Sequence, residues 1–191
     1  MKKTVNGFEL ESISNTVEAI QGNPEIAKFE FRAKNHWITG GHNRSSIREF
    51  YGGCQEDTSR EMAFVFDNAE PPILLGNNEG ANPVEFILHG LAGCMTTTMM
   101  LHAAANGISV DKLTSTLKGS LDVQGFLGLD ATIRNGYQNI QVEFDIQGDL
   151  TEDEKQFLIE LAQKSPVFDV VTNGVPVKVS RKQMAKTANP A

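Results

Sequence analysis

The chain has 191 residues, of which 40% are hydrophobic and 21% charged, and its formal net charge is −7. That length fits one domain or one protomer of an intertwined dimer, and the composition is that of an ordinary soluble globular protein. The negative balance argues against nucleic acid as a partner and leaves no basic face for anionic lipid, so neither a nucleic-acid nor a membrane partner is expected.

Two cysteines, Cys54 and Cys94, stand apart without a CxxC, and His36, His42, His89 and His102 are scattered. This pattern suggests no zinc site, no other cofactor and no permanent disulfide. The opening MKKTVNGFELES has two lysines with no apolar run behind them. It does not read as a signal peptide, so the expected compartment is the cytoplasm.

In chain order, Leu10, Ile13, Val17 and Ile20 recur at helical spacing until Gly22-Asn23-Pro24 ends the pattern. Residues 1–24 therefore read as a helical extension that packs on the domain or on a partner subunit. Residues 25–182 read as one domain and 183–191 as a frayed tail. Phe29, Phe31, Ala33 and Trp37 alternate in part, which predicts one long strand over residues 27–39. Gly40-Gly41-His42-Asn43 reads as a turn before a second strand over 44–50. Residues 51–61 read as a polar loop carrying Cys54, and 62–66 as a strand. Residues 68–82 are rich in Pro, Gly and Asn. Their apolar insert, 71–76, is expected to pack against the domain.

The rest of the chain is organised around residues 82–107, NPVEFILHGLAGCMTTTMMLHAAANG. Asn82 is a candidate N-cap, Pro83 suits the first helical position, and Gly107 suits the left-handed C-cap. Apolar residues point in nearly all directions, as in a helix covered on several sides. Glu85, His89, His102 and three threonines interrupt the run, which makes a membrane span a poor reading. Gly90, Ala92 and Gly93 lie within a turn of Cys94. Glycine costs a helix about 1 kcal/mol relative to alanine. Two here predict the close approach of another backbone or a ligand. Cys94 is either a catalyst or a small hydrophobe at a helix crossing.

Residues 113–124 and 137–147 each alternate and together predict an antiparallel hairpin. Their connection contains Phe126, Leu127 and Leu129. These either tuck under the sheet or wall an apolar ligand pocket. Thr151 with Glu154 forms a capping box ahead of a helix over 152–164. Ser165-Pro166 restarts a short helix through Val171, and 175–179 reads as a final strand. Strands, a central helix, strands, two helices and a strand define an α+β class.

The stretch NPVEFILHGLAGC, with Ser165-Pro166-Val167 opening a short helix ahead of Val175-Pro176-Val177, resembles the OsmC/Ohr family of thiol peroxidases. The resemblance covers residues 28–179. It implies an OsmC-like fold in which antiparallel sheets wrap two central helices of an intertwined homodimer, with active sites at the dimer interface. It also implies a thiol-dependent peroxidase of the oxidative stress response, which reduces apolar organic hydroperoxides and is regenerated by an external thiol.

Under this resemblance Cys94 is the peroxidatic nucleophile. It lies too deep in its helix to gain from the positive N-terminus and needs a cation to favour its thiolate. Arg44 best matches the family arginine that does this and orients the peroxide, with Arg48 and Arg60 as rivals; from spacing alone Arg44 is equally a solvated turn residue. Glu85 stands in for the glutamate that holds the arginine. Phe126, Leu127 and Leu129 would favour fatty or aryl substrates.

The sequence departs from the family in three places. The family glutamate directly follows Asn-Pro, where this chain has Val84, with Glu85 one residue later. One residue is about 100° around a helix, which changes what Glu85 can reach. The family's resolving cysteine position holds Ser165, which can cap a helix but cannot form a disulfide. Cys54 is an extra thiol, either a relocated resolver or idle. The alternative class is a non-catalytic OsmC-like protein that binds a small apolar ligand, with Cys94 as the floor of its pocket.

Overall fold

The computed structural model describes residues 3–182. The tail at 183–191, expected to fray, lies outside the described residues. The chain opens with a hairpin of β1 (Thr4–Val5) and β2 (Phe8–Glu9). Its turn is Asn6-Gly7, both at positive φ (50° and 83°), the pairing that suits a type I′ hairpin. The Asn6 side chain donates to Ile108 O and accepts from Val110 N, both at 2.9 Å, which pins the hairpin to a distant loop. The amphipathic helix follows as α1 (Leu10–Gly22), with none of its residues buried.

The long strand predicted over 27–39 is broken. A 3-10 turn at Pro24–Ala27 precedes β3 (Glu30–Phe31) and β4 (Lys34–Thr39), which belong to different sheets. The turn after β4 is only Gly40-Gly41. His42 and Asn43 already lie in β5 (His42–Ile47). The predicted polar loop at 51–61 contains a tight hairpin instead, β6 (Phe50–Gly52) and β7 (Gln55–Asp57), turned by Gly53 and Cys54 at φ 59° and 65°. Cys54 thus takes the left-handed backbone of a two-residue turn. With β8 (Phe64–Asn68), the strands form two antiparallel sheets, β3-β6-β7 and β4-β5-β8.

The insert at 71–76 does not pack inward: Ile73 is 87% and Leu75 92% exposed, because a 3-10 turn at Pro72–Leu74 lifts them off the chain. The central helix α2 (Pro83–Ala105) starts as predicted, with Asn82 as N-cap. It is followed by β9 (Lys112–Leu121), the short α3 (Val123–Phe126) and β10 (Tyr137–Gln147). β9 and β10 pair antiparallel, and their alternation of half-buried and exposed residues is the one the sequence predicts. Next come α4 (Glu152–Ala162), with the predicted Thr151–Glu154 capping box, and α5 (Pro166–Asn173), capped by Ser165. Residues 175–179 form no strand within the protomer, and Val177 and Val179 stand out in solvent.

The core is one cluster. Leu91, Met95, Met99 and Ala103 of α2 meet Leu158, Leu161 and Ala162 of α4 and Ile146 of β10. Their spacing of four residues traces one stripe along α2. The opposite side, including Ile87, Gly93, Thr97 and Leu101, is exposed, so a helix apolar on all sides is covered on one side only. By length and composition α2 could also cross a membrane; its buried stripe instead packs on α4 and the hairpin.

Candidate functional site

Cys94 lies half-buried at the middle of α2, between the buried stripe and the uncovered side. A Cβ added at Gly90 or at Gly93 would meet nothing within 4 Å. The predicted close approach to these glycines is therefore absent within the protomer, and they leave open space beside the thiol.

The start of α2 is tightly held. The Asn82 side chain accepts from Val84 N at 3.0 Å, and the Glu85 carboxylate accepts from Asn82 N at 2.8 Å, completing a capping box. Asn82 Nδ2 donates to Glu70 Oε2 at 2.5 Å, and Ala69 N to Ala81 O at 3.3 Å. These bonds, with an edge-on contact between Phe66 and Phe86, tie the end of β8 to the helix N-terminus. Within the protomer Glu85 is therefore engaged with the cap and not with Arg44, the partner that the resemblance implies. Its position at N3 turns it back onto the cap, and its rotation from the position of Val84 is the physical reason.

Arg44 is held by a residue the sequence reading missed. It lies directly opposite Asp67 in the β5–β8 register. Its Nε and Nη2 donate to the two Asp67 oxygens at 2.8 and 3.0 Å. His42, two residues earlier and hence on the same face of β5, donates from Nε2 to Asp67 Oδ1 at 2.8 Å; facing a carboxylate, that nitrogen carries the proton. Hydrogen bonds from Arg44 and then His42 hold the Asp67 carboxyl at about 2, below its ordinary 3.8, and the Asp67 bond raises Arg44 further. Only the register brings the three together, and no spacing rule in the sequence announces it.

The rival arginines are engaged elsewhere. Arg48 donates to Arg60 O and Arg60 to Arg48 O, while the Arg60 guanidinium lies 5.0 Å from the Phe50 ring centre and 5.4 Å from that of Phe64. Phe126, Leu127 and Leu129 neither tuck under the sheet nor wall a pocket in the protomer: they are 70%, 55% and 71% exposed, because α3 turns them outward. A half-open pocket of about 570 Å³ lies elsewhere, walled by Ile87, Gly90 and Leu91 of α2, Ile140 of β10, and Phe168 and Val171 of α5. Gly90 is one turn from Cys94, but the thiol does not line this pocket.

Ser165 is completely buried, and its Oγ accepts from Phe168 N at 3.2 Å, capping α5. Cys54 is exposed. Among the described residues, no group of three or more His, Cys, Asp or Glu side chains is placed to hold a metal ion.

A capped central helix with a half-buried thiol, packed on one side by a hairpin and two helices and preceded by small antiparallel sheets, defines an OsmC-like α+β fold. Solved structures share it. An OsmC-like protein from Mycoplasma pneumoniae is 20% identical with a TM-score of 0.57, the alignment covering 74% of this chain and 86% of that one. An organic hydroperoxide resistance protein OsmC from Legionella pneumophila is 23% identical (TM-score 0.53, 78% and 93% covered). An OsmC-like protein of unknown function from Vibrio cholerae is 13% identical (TM-score 0.53, 75% and 94% covered). No curated protein matches the chain. Residues 76–180, more than half of the chain, match the model of the OsmC-like protein family, and the chain belongs to that family.

Proposed function

We propose that the protein is a cytoplasmic thiol-dependent peroxidase that reduces apolar organic hydroperoxides through Cys94. One observation carries this reading: Cys94 sits on the border of the uncovered side of α2, with open space at both neighbouring glycines, so a peroxide can approach its sulfur. Family membership supports it, as does the likeness to a structure described as an organic hydroperoxide resistance protein.

The chemistry balances as follows. The Cys94 thiolate attacks one peroxide oxygen; an S–O bond forms as the O–O bond breaks. The other oxygen leaves as an alkoxide and takes a proton to become the alcohol. Sulfur is oxidised to sulfenic acid and the peroxide is reduced. An external thiol then displaces water to give a mixed disulfide. A second external thiol frees Cys94 and leaves as a small-molecule disulfide. Arg44 favours the thiolate and orients the peroxide. The protein acts as a homodimer, because the apolar side of α2 and exposed Phe31, Trp37 and Phe64 need cover that the protomer does not supply. Arginine and thiol meet across that interface.

A second reading, a binding protein without peroxidase activity, is favoured by buried Ser165 at the resolving position and by a pocket that excludes Cys94. One equivalent of cumene hydroperoxide added to the Cys54→Ser protein separates the two. Stoichiometric sulfenic acid on Cys94, trapped with dimedone and seen by mass spectrometry, is the expected result. An unmodified Cys94 leaves the binding protein.

A further inference from the structure

Two side chains of β5, His42 and Arg44, converge on one carboxylate of β8, Asp67. Asp67 takes the Nε and Nη2 edge of Arg44 with both of its oxygens, and the same Oδ1 accepts from His42, whose side chain is only 16% exposed. An ordinary cross-strand ion pair on a sheet surface needs no third member and is worth little. Here the carboxylate is clamped from two sides. Two-point pairing fixes the plane of a guanidinium as well as its position. With Nε and Nη2 engaged, the Nη1 edge of Arg44 makes no hydrogen bond among the described residues. The side chain is 43% exposed, which leaves that edge open to a further partner.

The other carboxylates near the start of α2 are committed elsewhere: Glu85 to the backbone of Asn82, and Glu70 to the Asn82 side chain. β8 is itself joined to the start of α2 through Ala69 and Ala81. The Arg44–Asp67 pair is thus mounted on a segment fixed to the central helix.

We propose that Asp67 is the positioning residue for Arg44, with His42 bracing its carboxylate, so that the Nη1 edge of the guanidinium is presented to the thiol and its substrate. The inference rests on the reading of Cys94 as the reactive thiol served by Arg44. Asp67 touches neither sulfur nor peroxide and acts only through the arginine.

Two readouts in the Cys54→Ser background test it. The first is the ratio of Cys94 alkylation rates by anionic iodoacetate and neutral iodoacetamide, which senses an aimed cation beside the sulfur without any peroxide chemistry. The second is the rate of Cys94 oxidation by cumene hydroperoxide. Asp67→Asn keeps the shape and removes the charge that aligns the guanidinium; the alkylation ratio should fall to that of Arg44→Ala. The oxidation rate should fall about ten- to hundredfold, as when a reacting group is misplaced by an ångström or less. Asp67→Glu, which keeps the charge, should recover part of both, and circular dichroism should show all three variants folded. If wild-type Cys94 resists peroxide while the alkylation ratio still depends on Asp67, the positioning role stands and the peroxidase reading falls. If Asp67→Asn leaves the alkylation ratio at the wild-type value, the proposal is overturned, whatever the peroxide result.

Discussion

Ser165→Cys, made in the Cys54→Ser background, is expected to change stability in opposite directions in its two redox states. Ser165 is fully buried and its Oγ caps α5 by accepting from Phe168 N at 3.2 Å. Sulfur is a weak acceptor, so the reduced variant loses the cap, which costs about 1 kcal/mol. In a domain of this size that lowers Tm by about 2–4 °C. α5 packs through Val167 and Phe168 against the core cluster that contains Leu91 and Met95, the residues flanking Cys94 on α2. A thiol at the α5 cap should therefore capture the Cys94 sulfenic acid, expelling water and forming a disulfide. The bridge closes a long loop and stabilises by about 4 kcal/mol on the chain-entropy estimate, more than the lost cap. The oxidised variant should then melt above the parent and the reduced variant below it. Melting with and without reductant, together with intact-mass measurement after one equivalent of cumene hydroperoxide, reads both effects. A reduced variant as stable as the parent would refute the cap argument. Persistent sulfenic acid on Cys94 with no crosslink would show that α5 does not bring its cap within disulfide reach of the central helix, which requires Cα atoms within about 7 Å.

Three further outcomes follow from the same geometry. Leu158→Ala removes a completely buried side chain from the α2–α4 contact and should lower unfolding free energy by about 2–5 kcal/mol, read as a lower urea midpoint at unchanged slope; a loss below 1 kcal/mol would mean that α4 is not part of the core. Asp67 has a folded-state value of about 2 against an ordinary 3.8, so its contribution is present above pH 4 and is lost as pH falls towards 2. Asp67→Asn should flatten that part of the stability profile, and parallel profiles for variant and parent would refute the pairing. Sedimentation at micromolar concentration should give about twice the 20.9 kDa protomer mass, whereas a stable, folded monomer would count decisively against the interface proposed for α2.

Local chemistry was legible in the sequence because its signals act over a few residues. Asn82-Pro83 and Thr151 with Glu154 fixed helix starts, alternation fixed β9 and β10, and Ser165-Pro166 fixed α5, since caps and side-chain periodicity depend on neighbours one turn or one residue away. The Asn6-Gly7 and Gly53-Cys54 turns belong to this class too; the first is itself a hairpin signal, and the second lies inside a polar stretch. The family could be recognised from the Cys94 stretch because that stretch is continuous in the chain.

What only the tertiary structure decided was pairing across distance. Asp67 meets Arg44 because β5 and β8 align in one register among many, and a shift of one residue would have sent the carboxylate to the other face of the sheet. Glu85 stands one residue from the family position, and within the protomer its carboxylate closes the helix cap. The break between β3 and β4, the exposure of Phe126, Leu127 and Leu129, and the one-sided burial of α2 depend on what each segment packs against. Hydrophobic pattern says that a side chain seeks cover; only packing says from where the cover comes.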